Sequence, residues 1–245
     1  MCIRDRYSWM INIPLENLAI AFIPVLIVLV IVWRWNIGIK SSLYAIFRMI
    51  IQLLLIGYVL TYIFETNSNY IVIAVLSIML LSASWISLRT TSLPRRILLV
   101  NAINAIVIGA VTVLKLMTQA VLTINPWYDP SYLIPLAGMI FANCMNGISL
   151  AAERLESELN QGKSFKEAKV IALKTSLIPI TNMLLAVGLV SLPGMMTGQI
   201  LSGVSPMIAV RYQIMVMCMF FGSTGISVAV FLQSVRGQFI NKEIS

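Results

Sequence analysis

The chain has 245 residues, of which 59% are hydrophobic and only 11% are charged, and its formal net charge is +8. A soluble domain carries roughly 25% charged residues, so most of this surface must face lipid instead of water. Because the chain contains no histidine, histidine-based metal sites and histidine general bases are excluded. The composition indicates a membrane protein and excludes a soluble enzyme.

Apolar runs recur along the chain, and about 20 helical residues suffice to cross roughly 30 Å of hydrocarbon. In lipid every backbone amide must be hydrogen-bonded internally, so the runs are predicted to be helices. The alternating pattern of a transmembrane β-barrel is not seen. The predicted segments are residues 18–33, 43–64, 70–88, 97–121, 132–152, 176–192 and 208–235. We predict an all-α polytopic membrane protein with about seven transmembrane helices.

The first residues of the chain precede the apolar runs. They begin with MCIRDR, which resembles a translated sequencing-adapter remnant. Such segments are set aside before the fold is considered. We therefore expect residues 1–12 to be a non-native or disordered extension, and residues 13–245 to form a single transmembrane domain.

The orientation of the segments follows from their flanking lysine and arginine residues, which concentrate on the cytoplasmic side. One set of connections carries 12 of them, whereas only Lys115 and Arg211 lie near the other set. The 12 are Arg34, Lys40, Arg89, Arg95, Arg96, Arg154, Lys163, Lys166, Lys169, Lys174, Arg236 and Lys242. This asymmetry predicts an N-terminus outside the cell and a C-terminus in the cytoplasm.

The longest polar connection, residues 153–175, lies on the predicted cytoplasmic side, and we call it the polar hairpin. Glu153 begins a stretch predicted to continue the helix of the fifth segment. Arg154 and Glu158 are four residues apart in this stretch and can form an ion pair on one face. Gln161 and Gly162 then interrupt the helical pattern.

A second helix is predicted in the polar hairpin, beginning with a capping box in which Ser164 caps the helix and Glu167 reaches back. An apolar stripe comes next, formed by Phe165, Ala168, Ile171 and Ala172. Residues 157–164 approach the phosphate-binding loop pattern, but they lack its first glycine and a preceding strand, so no ATPase is predicted here. The hairpin is either a docking element for a cytoplasmic partner or a solvated loop.

Arg48 lies inside the second predicted segment, with Gln52 one helical turn further on. A charge near the bilayer centre costs roughly 2.5–3.5 kcal/mol, so such a residue usually faces the bundle interior or an aqueous path. The alternative is that the Arg48 side chain extends to the cytoplasmic headgroups.

Amide side chains form two further polar stripes. Asn143, Asn146 and Ser149 are spaced three apart on the fifth segment, and Asn101 and Asn104 are spaced likewise on the fourth. Such groups either hold helices together by hydrogen bonds or line a substrate path. The spacing alone leaves both roles open.

Two features stand out near the last segment. Gly194 and Gly198 form a small-xxx-small motif, which permits close approach of helices. Several of the 14 methionines lie nearby, namely Met195, Met196, Met207, Met215, Met217 and Met219. Methionine is mainly a packing residue, although its thioether can also bind soft ions such as Cu(I). No carboxylate pair, nucleophile or Cys/His cluster appears at catalytic spacing, so we predict no enzyme activity.

Two stretches resemble the bacterial iron-export ABC permease family of the Fet B type, which is related to plant aluminium-tolerance ABC membrane subunits. They are residues 134–155, IPLAGMIFANCMNGISLAAERL, and residues 188–206, GLVSLPGMMTGQILSGVSP. The sequence RYQIMVM at residues 211–217 matches the next stretch of that family, and Arg48 with Gln52 fits its second segment. The resemblance covers nearly the whole chain after the first dozen residues.

The resemblance implies a permease subunit in the cell membrane that exports iron or another metal and needs no cofactor of its own. A separate cytoplasmic ATP-binding subunit would hydrolyse ATP, two copies of the chain would form a homodimer in the lipid bilayer, and no nucleic acid would be bound. The residues expected to dock the ATPase are Glu153, Arg154, Phe165, Glu167, Ala168, Ile171 and Ala172. The residues expected along the substrate path are Arg48, Gln52, Asn143, Asn146, Ser149 and Gln199, and Pro193, Gly194 and Gly198 are expected to act in hinge movement or packing.

Two other classes of protein remain open. An ATP-independent secondary transporter would normally carry acidic residues inside the membrane, and none is placed at mid-depth in the predicted segments. A membrane scaffold without transport activity is the second alternative.

Overall fold

The computed structural model describes residues 14–36, 38–65 and 68–243, so the predicted extension at residues 1–12 lies outside the described residues. The helices are α1 Leu15–Ile20, α2 Ile23–Arg34, α3 Ile39–Glu65, α4 Asn69–Ser87, α5 Arg95–Ile106, α6 Thr112–Leu116, α7 Pro130–Asn160, α8 Phe165–Ala186, α9 Gly194–Leu201, α10 Pro206–Ser234 and α11 Arg236–Glu243. Within these ranges no strand forms, and a single isolated bridge pairs Val187 with Ser191.

Seven of the helical stretches in the described residues are long and apolar enough to cross a membrane, which confirms the predicted all-α polytopic fold. The stretches are Glu16–Arg34, Ile39–Leu60, Asn69–Ser87, Arg95–Val121, Pro130–Asn160, Phe165–Ala186 and Pro206–Ser234. Four tryptophans near their ends, Trp33, Trp35, Trp85 and Trp127, are exposed. This placement is typical of side chains that sit at membrane–water interfaces.

The chain divides into two compact units, Met1–Thr66 and Asn67–Ser245. In the first unit, α2 and α3 pack against each other. In the second unit, α7 and α10 form the centre, and α4, α5 and α8 pack around them. That a single domain spans residues 13–245 stays a prediction.

The centre of the second unit depends on small residues where α10 meets its neighbours. A Cβ added to Gly109 would overlap the Ser227 Oγ and lie 2.6 Å from the Ser227 backbone nitrogen. A Cβ added to Gly147 would lie 2.6 Å from a methyl carbon of Thr224. The Ser227 hydroxyl donates a hydrogen bond to the Cys144 sulfur at 3.3 Å. Close backbone approach of this kind substitutes for a hydrophobic driving force, which is weak between helices in lipid.

The fourth crossing is one continuous helical stretch in which two π-helical turns, Val107–Val111 and Met117–Val121, flank α6. The first π turn lies against α10 and contains Gly109. Single π turns inside α-helices widen the backbone locally and occur often at functional sites. The π turns were not predicted from the sequence, because composition and hydrophobic length do not distinguish a π turn from an α-helical one.

Helix α7 continues without a break from Pro130 to Asn160, which confirms the predicted continuation of the fifth segment into the polar hairpin. It begins where the Asp129 carboxylate accepts the backbone N–H of Ser131 at 2.9 Å, an N-cap contact that satisfies a free donor of the first turn. Pro135 lies in the second turn of α7, where it removes one intrahelical hydrogen bond, and the helix continues past it.

Helix α8 ends at Ala186, six residues before the end predicted for the sixth segment. The chain then turns at Gly188, whose φ of +84° favours glycine. A further short helix, α9, runs from Gly194 to Leu201, between the sixth and seventh predicted segments, where no helix was predicted. Pro193 occupies its N-cap. The prediction missed α9 because its apolar residues continue the hydrophobic pattern on both sides.

Candidate functional site

The polar hairpin consists of the end of α7, a turn and the start of α8. The Ser164 hydroxyl accepts the backbone N–H of Glu167 at 3.4 Å, and the Glu167 carboxylate accepts the backbone N–H of Ser164 at 3.2 Å. This confirms the predicted capping box. Gly162 provides the turn with a φ of +81°, a conformation that side chains other than glycine rarely adopt.

A buried carboxylate fastens the end of α7 to the turn that precedes α8. Glu158 has a side-chain exposure of 0% and forms ion pairs with Arg154, one turn earlier, and with Lys163 across the turn. The pair with Arg154 was predicted from its spacing, whereas the pair with Lys163 was not. The two cationic side chains remain 40% and 42% exposed, so each keeps part of its hydration.

The apolar stripe of α8 divides into two kinds of residue. Ala168 and Ala172 are fully buried, and α8 packs on α7, so these two residues hold the hairpin together and present nothing to a partner. Phe165 and Ile171 are half-buried and lie beside an exposed face. The side chains available on that surface include Glu153, Lys166, Glu167 and Val170.

Glu156 joins the polar hairpin to the connection between α4 and α5, a contact that was not predicted from the sequence. Its Oε2 accepts the backbone N–H of Ser92 at 2.9 Å and the Thr91 hydroxyl at 3.3 Å, and its Oε1 accepts the Ser92 hydroxyl. Glu156 is 8% exposed. On α7, Glu156 lies one turn after Ala152 and two turns after Ile148, and both of these residues are buried. This spacing is the signal from which an inward-facing Glu156 could have been predicted.

The Asn101 amide links the middle of α5 to the end of α10 and to α11. Its Nδ2 donates to the Ser234 carbonyl at 3.0 Å, and its Oδ1 accepts from the Gln238 Nε2 at 3.3 Å. Bonds to the terminal carbonyls of a helix satisfy acceptors that have no partner within the helix. The sequence left open whether Asn101 and Asn104 hold helices together or line a substrate path. Asn101 holds helices together, whereas Asn104 is exposed.

The stripe of α7 does not form a common set of contacts. Asn143 donates from Nδ2 to the Met139 carbonyl of its own helix at 2.9 Å, and Asn146 is exposed. The Ser149 hydroxyl and carbonyl both contact the Thr90 hydroxyl, at 3.2 and 3.1 Å. The structure therefore places Asn143 and Asn146 on an outward-facing surface of the second unit, while Ser149 helps to hold the connection after α4.

Gln199 lies in a cavity of about 480 Å³ between α7, α9 and α10. Its walls include Tyr132, Met139, Met195 and Tyr212. The Gln199 Oε1 is buried, and among the described residues it finds no hydrogen-bond partner. Gln199 is thus a predicted path residue that lines a cavity of the second unit.

The remaining predicted residues lie elsewhere. Arg48 is half-buried and Gln52 is exposed on α3, which belongs to the first unit. A Cβ added to Gly194 or Gly198 would meet nothing within 4 Å, so the small-xxx-small motif makes no close helix contact within the described chain. The close contacts occur instead at Gly109 and Gly147. A hinge at Pro193 stays a prediction.

Seven apolar helices, a lipid-facing surface rich in exposed large hydrophobic residues and a polar hairpin define a multi-pass membrane protein. The chain belongs to the family described as "Uncharacterised protein family (UPF0014)", whose model matches residues 15–240.

The chain is also similar in sequence to named proteins over most of its length. The chain is 37% identical over 212 residues to UPF0014 membrane protein slr1647 of Synechocystis, covering 80% of this chain and 81% of the relative. It is 30% identical over 246 aligned positions to "Probable iron export permease protein FetB" of Escherichia coli, covering 94% and 93%. It is 30% identical over 243 positions to "Protein ALUMINUM SENSITIVE 3" of Arabidopsis thaliana, covering 91% and 87%. No solved structure matches the chain.

Proposed function

We propose that this chain is the permease subunit of an ATP-driven transporter that exports iron or another metal. The observation that carries the proposal is the 30% identity over 94% of the chain to a relative named as a probable iron export permease. Because the alignment spans 93% of that relative, the likeness extends over the whole permease and not over one helix pair. The resemblance carried by residues 134–155 and 188–206 points to the same class of transporter.

A cytoplasmic ATP-binding subunit would dock on the polar hairpin. Three features support this. The hairpin is the longest polar connection in the chain. Its two helices pack on each other, and the buried Glu158 pairs with Arg154 and with Lys163 in the turn. It also keeps an exposed face that carries Lys166 and Val170. A rigid, partly apolar protrusion transmits movement better than a flexible loop, because little of the movement is lost in deforming it.

In the proposed cycle, ATP binding closes the two ATP-binding subunits and displaces the polar hairpins of two permease copies. Each hairpin moves α7 and α8, which begin or end in it, and the path between the copies changes its open side. A ligand shifts such an equilibrium only if it binds the two arrangements with different affinity. The exposed Asn146 and the half-buried Asn143 on α7 would face this path.

The docking step is tested by co-purification of the chain with a candidate ATP-binding subunit from the same organism. The variant Lys166→Glu with Val170→Asp alters two exposed positions one turn apart on α8. We expect it to abolish co-purification. The matched control is Arg96→Glu, an exposed charge reversal on the same predicted side but outside the hairpin, which should leave co-purification intact. Undiminished binding by the hairpin variant would refute the docking role.

Transport is tested in vesicles that contain the permease and the ATP-binding protein. We expect ATP-dependent movement of iron or another metal, and its loss when the ATP-binding protein is left out. The variant Asn143→Leu with Asn146→Leu should fold, because neither side chain bonds to another helix, but should transport more slowly. A normal rate would show that the two amides do not line the path, and movement independent of ATP would favour a secondary transporter.

A further inference from the structure

A cleft of the second unit lies between α4, the fourth crossing and the start of α7, and its volume is about 320 Å³. Its floor is aliphatic, with Leu76 from α4, Leu114 from α6 and Leu133 from α7. Its rim is different in character, because it carries a cation, an amide and an indole. The exposed residues of the rim are Lys115, Gln119 and Trp127.

The two π-helical turns of the fourth crossing form one wall of the cleft. Val111 belongs to the first of these turns, and Thr118 and Gln119 belong to the second. The Thr118 hydroxyl donates to the Leu114 carbonyl at 2.9 Å, so it is satisfied within its own helix and adds no free polar group to the floor. The interior of the cleft therefore suits a part of a ligand that has no hydrogen-bonding groups.

The rim of the cleft lies at one boundary of the hydrocarbon. The fourth crossing begins at Arg95, whose guanidinium carbon lies 5.4 Å from the centroid of the Trp85 ring, and both residue types are frequent at membrane interfaces. Lys115 follows Arg95 by 20 residues, which is about 30 Å of helix and equals the rough thickness of the hydrocarbon. Lys115 therefore lies at the opposite interface, and Val111, one turn deeper, lies at the depth of acyl chains.

The Lys115 ammonium has no protein counter-ion within the described residues. The ion pairs found there are those of Glu158 in the polar hairpin. Asp129, whose carboxylate is the nearest to Lys115 along the sequence, caps α7 through the backbone N–H of Ser131. A cation at the interface, beside an apolar cleft, is complementary to an anion that carries an apolar chain.

A lysine that only reaches the headgroups does not account for the cleft. Such a lysine needs no cavity, because its aliphatic stem covers the apolar surface beneath it. Water does not suit the interior either, since a buried water needs two or more polar partners. At hydrocarbon depth the chains available to fill an aliphatic cleft are those of lipids, and its volume lies within the roughly 300–1,000 Å³ of ligand pockets.

We propose that this cleft binds one anionic phospholipid, with an acyl chain on the aliphatic floor and the phosphate on the Lys115 ammonium. The Trp127 ring packs against the glycerol region of the lipid, at the depth where such rings sit in membranes. A net negative lipid is favoured because the cationic group of a zwitterionic lipid competes with Lys115 for the phosphate. The proposal concerns this chain alone and is independent of whether the chain transports a metal.

The test is native mass spectrometry of the full chain in detergent, titrated with phosphatidylglycerol or with diacylglycerol of the same acyl chains, which lacks the phosphate. We expect one saturable phosphatidylglycerol per chain. Lys115→Met removes the charge and keeps an unbranched stem, so it should weaken phosphatidylglycerol binding about fivefold and leave diacylglycerol binding unchanged. The matched control is Arg211→Met, which removes an exposed cation on the same predicted side but outside the cleft and should leave both affinities unchanged.

A second pair of variants tests the cleft itself. Val111→Phe places a larger side chain in the cleft from a position that is 41% exposed, whereas Val100→Phe makes the same change at a position of the same crossing that is 63% exposed and lies outside the cleft. Both should keep the melting temperature, because neither valine is buried. Only Val111→Phe should weaken the binding of phosphatidylglycerol and of diacylglycerol.

Four results would overturn the proposal. The first is the absence of a saturable lipid, and a lipid-free dimer would assign the cleft to a second copy of the chain. The second is an equal affinity of Lys115→Met and Arg211→Met for phosphatidylglycerol. The third is an equal affinity of Val111→Phe and Val100→Phe. The fourth is displacement of the lipid by an equal concentration of glycerol phosphate, which would show an anion site that takes no acyl chain.

Discussion

The carboxylate of Glu156 accepts the backbone N–H of Ser92 at 2.9 Å, and this contact fastens the polar hairpin to the connection between α4 and α5. The contact joins residues 64 positions apart in the chain. Hydrogen bonds to an ionised acceptor are roughly twice as strong as bonds between neutral groups. Any movement of the hairpin must therefore either carry this connection with it or break the bonds.

Glu156→Ala is expected to destabilise the protein by about 1–3 kcal/mol, because it leaves the partly buried donors of Thr91 and Ser92 without their acceptor. The measurement is the melting temperature of the detergent-purified chain. Glu153→Ala removes an exposed carboxylate from the same helix and should change stability by less than about 0.5 kcal/mol. Equal effects of the two variants would show that the contact contributes nothing to stability.

The ion pairs of Glu158 predict that removing its carboxylate costs less stability than removing its two cationic partners. Glu158→Leu leaves Arg154 and Lys163 able to turn to water, so the expected cost is about 1 kcal/mol. The double variant Arg154→Met with Lys163→Met leaves a fully buried carboxylate without a cation, and its expected cost is about 3–5 kcal/mol. Unfolding of the variants in a denaturing detergent measures both, and a double variant as stable as Glu158→Leu would contradict the prediction.

Gly109→Ala should be strongly destabilising, since its Cβ would lie 2.6 Å from the Ser227 nitrogen and 2.8 Å from the Ser223 carbonyl oxygen. Backbone atoms cannot rotate away as a side chain can, so α10 must shift, at a cost of about 1–3 kcal/mol or more. A Cβ added to Gly225 within α10 meets nothing within 4 Å, so Gly225→Ala should stabilise the helix by up to about 1 kcal/mol. Thermal melting of both variants checks the opposite signs.

The predicted orientation is checked by fusing reporters to two connections. A fluorescent protein that matures only in the cytoplasm should be active when inserted after Lys163. A phosphatase that folds only outside should be active when inserted after Tyr128, in the connection before α7. The physical reason is the concentration of basic residues on the hairpin side. The reverse pattern of activity would refute the orientation.

Local features of the polar hairpin could be predicted from the sequence, because they depend on residues close together in the chain. The capping box of Ser164 and Glu167 and the pair of Arg154 with Glu158 each lie within about one helical turn. The seven crossings were likewise predictable, since hydrophobic length is a property of each segment alone.

Features that depend on distant parts of the chain could not be predicted. Ser92 and Glu156 meet only after α4, α5 and α7 have packed together. The sequence motif at Gly194 and Gly198 suggested close packing, but whether a glycine is approached depends on what the fold brings beside it. Gly109, which forms such a motif with Ala105 and was not singled out from the sequence, is one of the glycines that α10 approaches.

The candidate cavities illustrate the same distinction. Gln199 was singled out from the sequence, and it does line a cavity. Gln213 was not, because a single glutamine in an apolar helix gives no sign of whether its amide will find a partner. The cavity lined by Gln213 and Met196 forms only because α9 folds back beside α10.

The uninterrupted course of α7 has a mechanical consequence. Its 31 residues span about 46 Å, which exceeds the roughly 30 Å of hydrocarbon, so the helix projects well beyond the hydrocarbon core. The proline inside this helix, Pro135, lies near the end away from the polar hairpin. No further proline interrupts the helix between Pro135 and Asn160. A tilt imposed at the hairpin end of α7 would therefore turn the whole stretch from Pro135 to Asn160, including its part inside the bilayer, through the same angle.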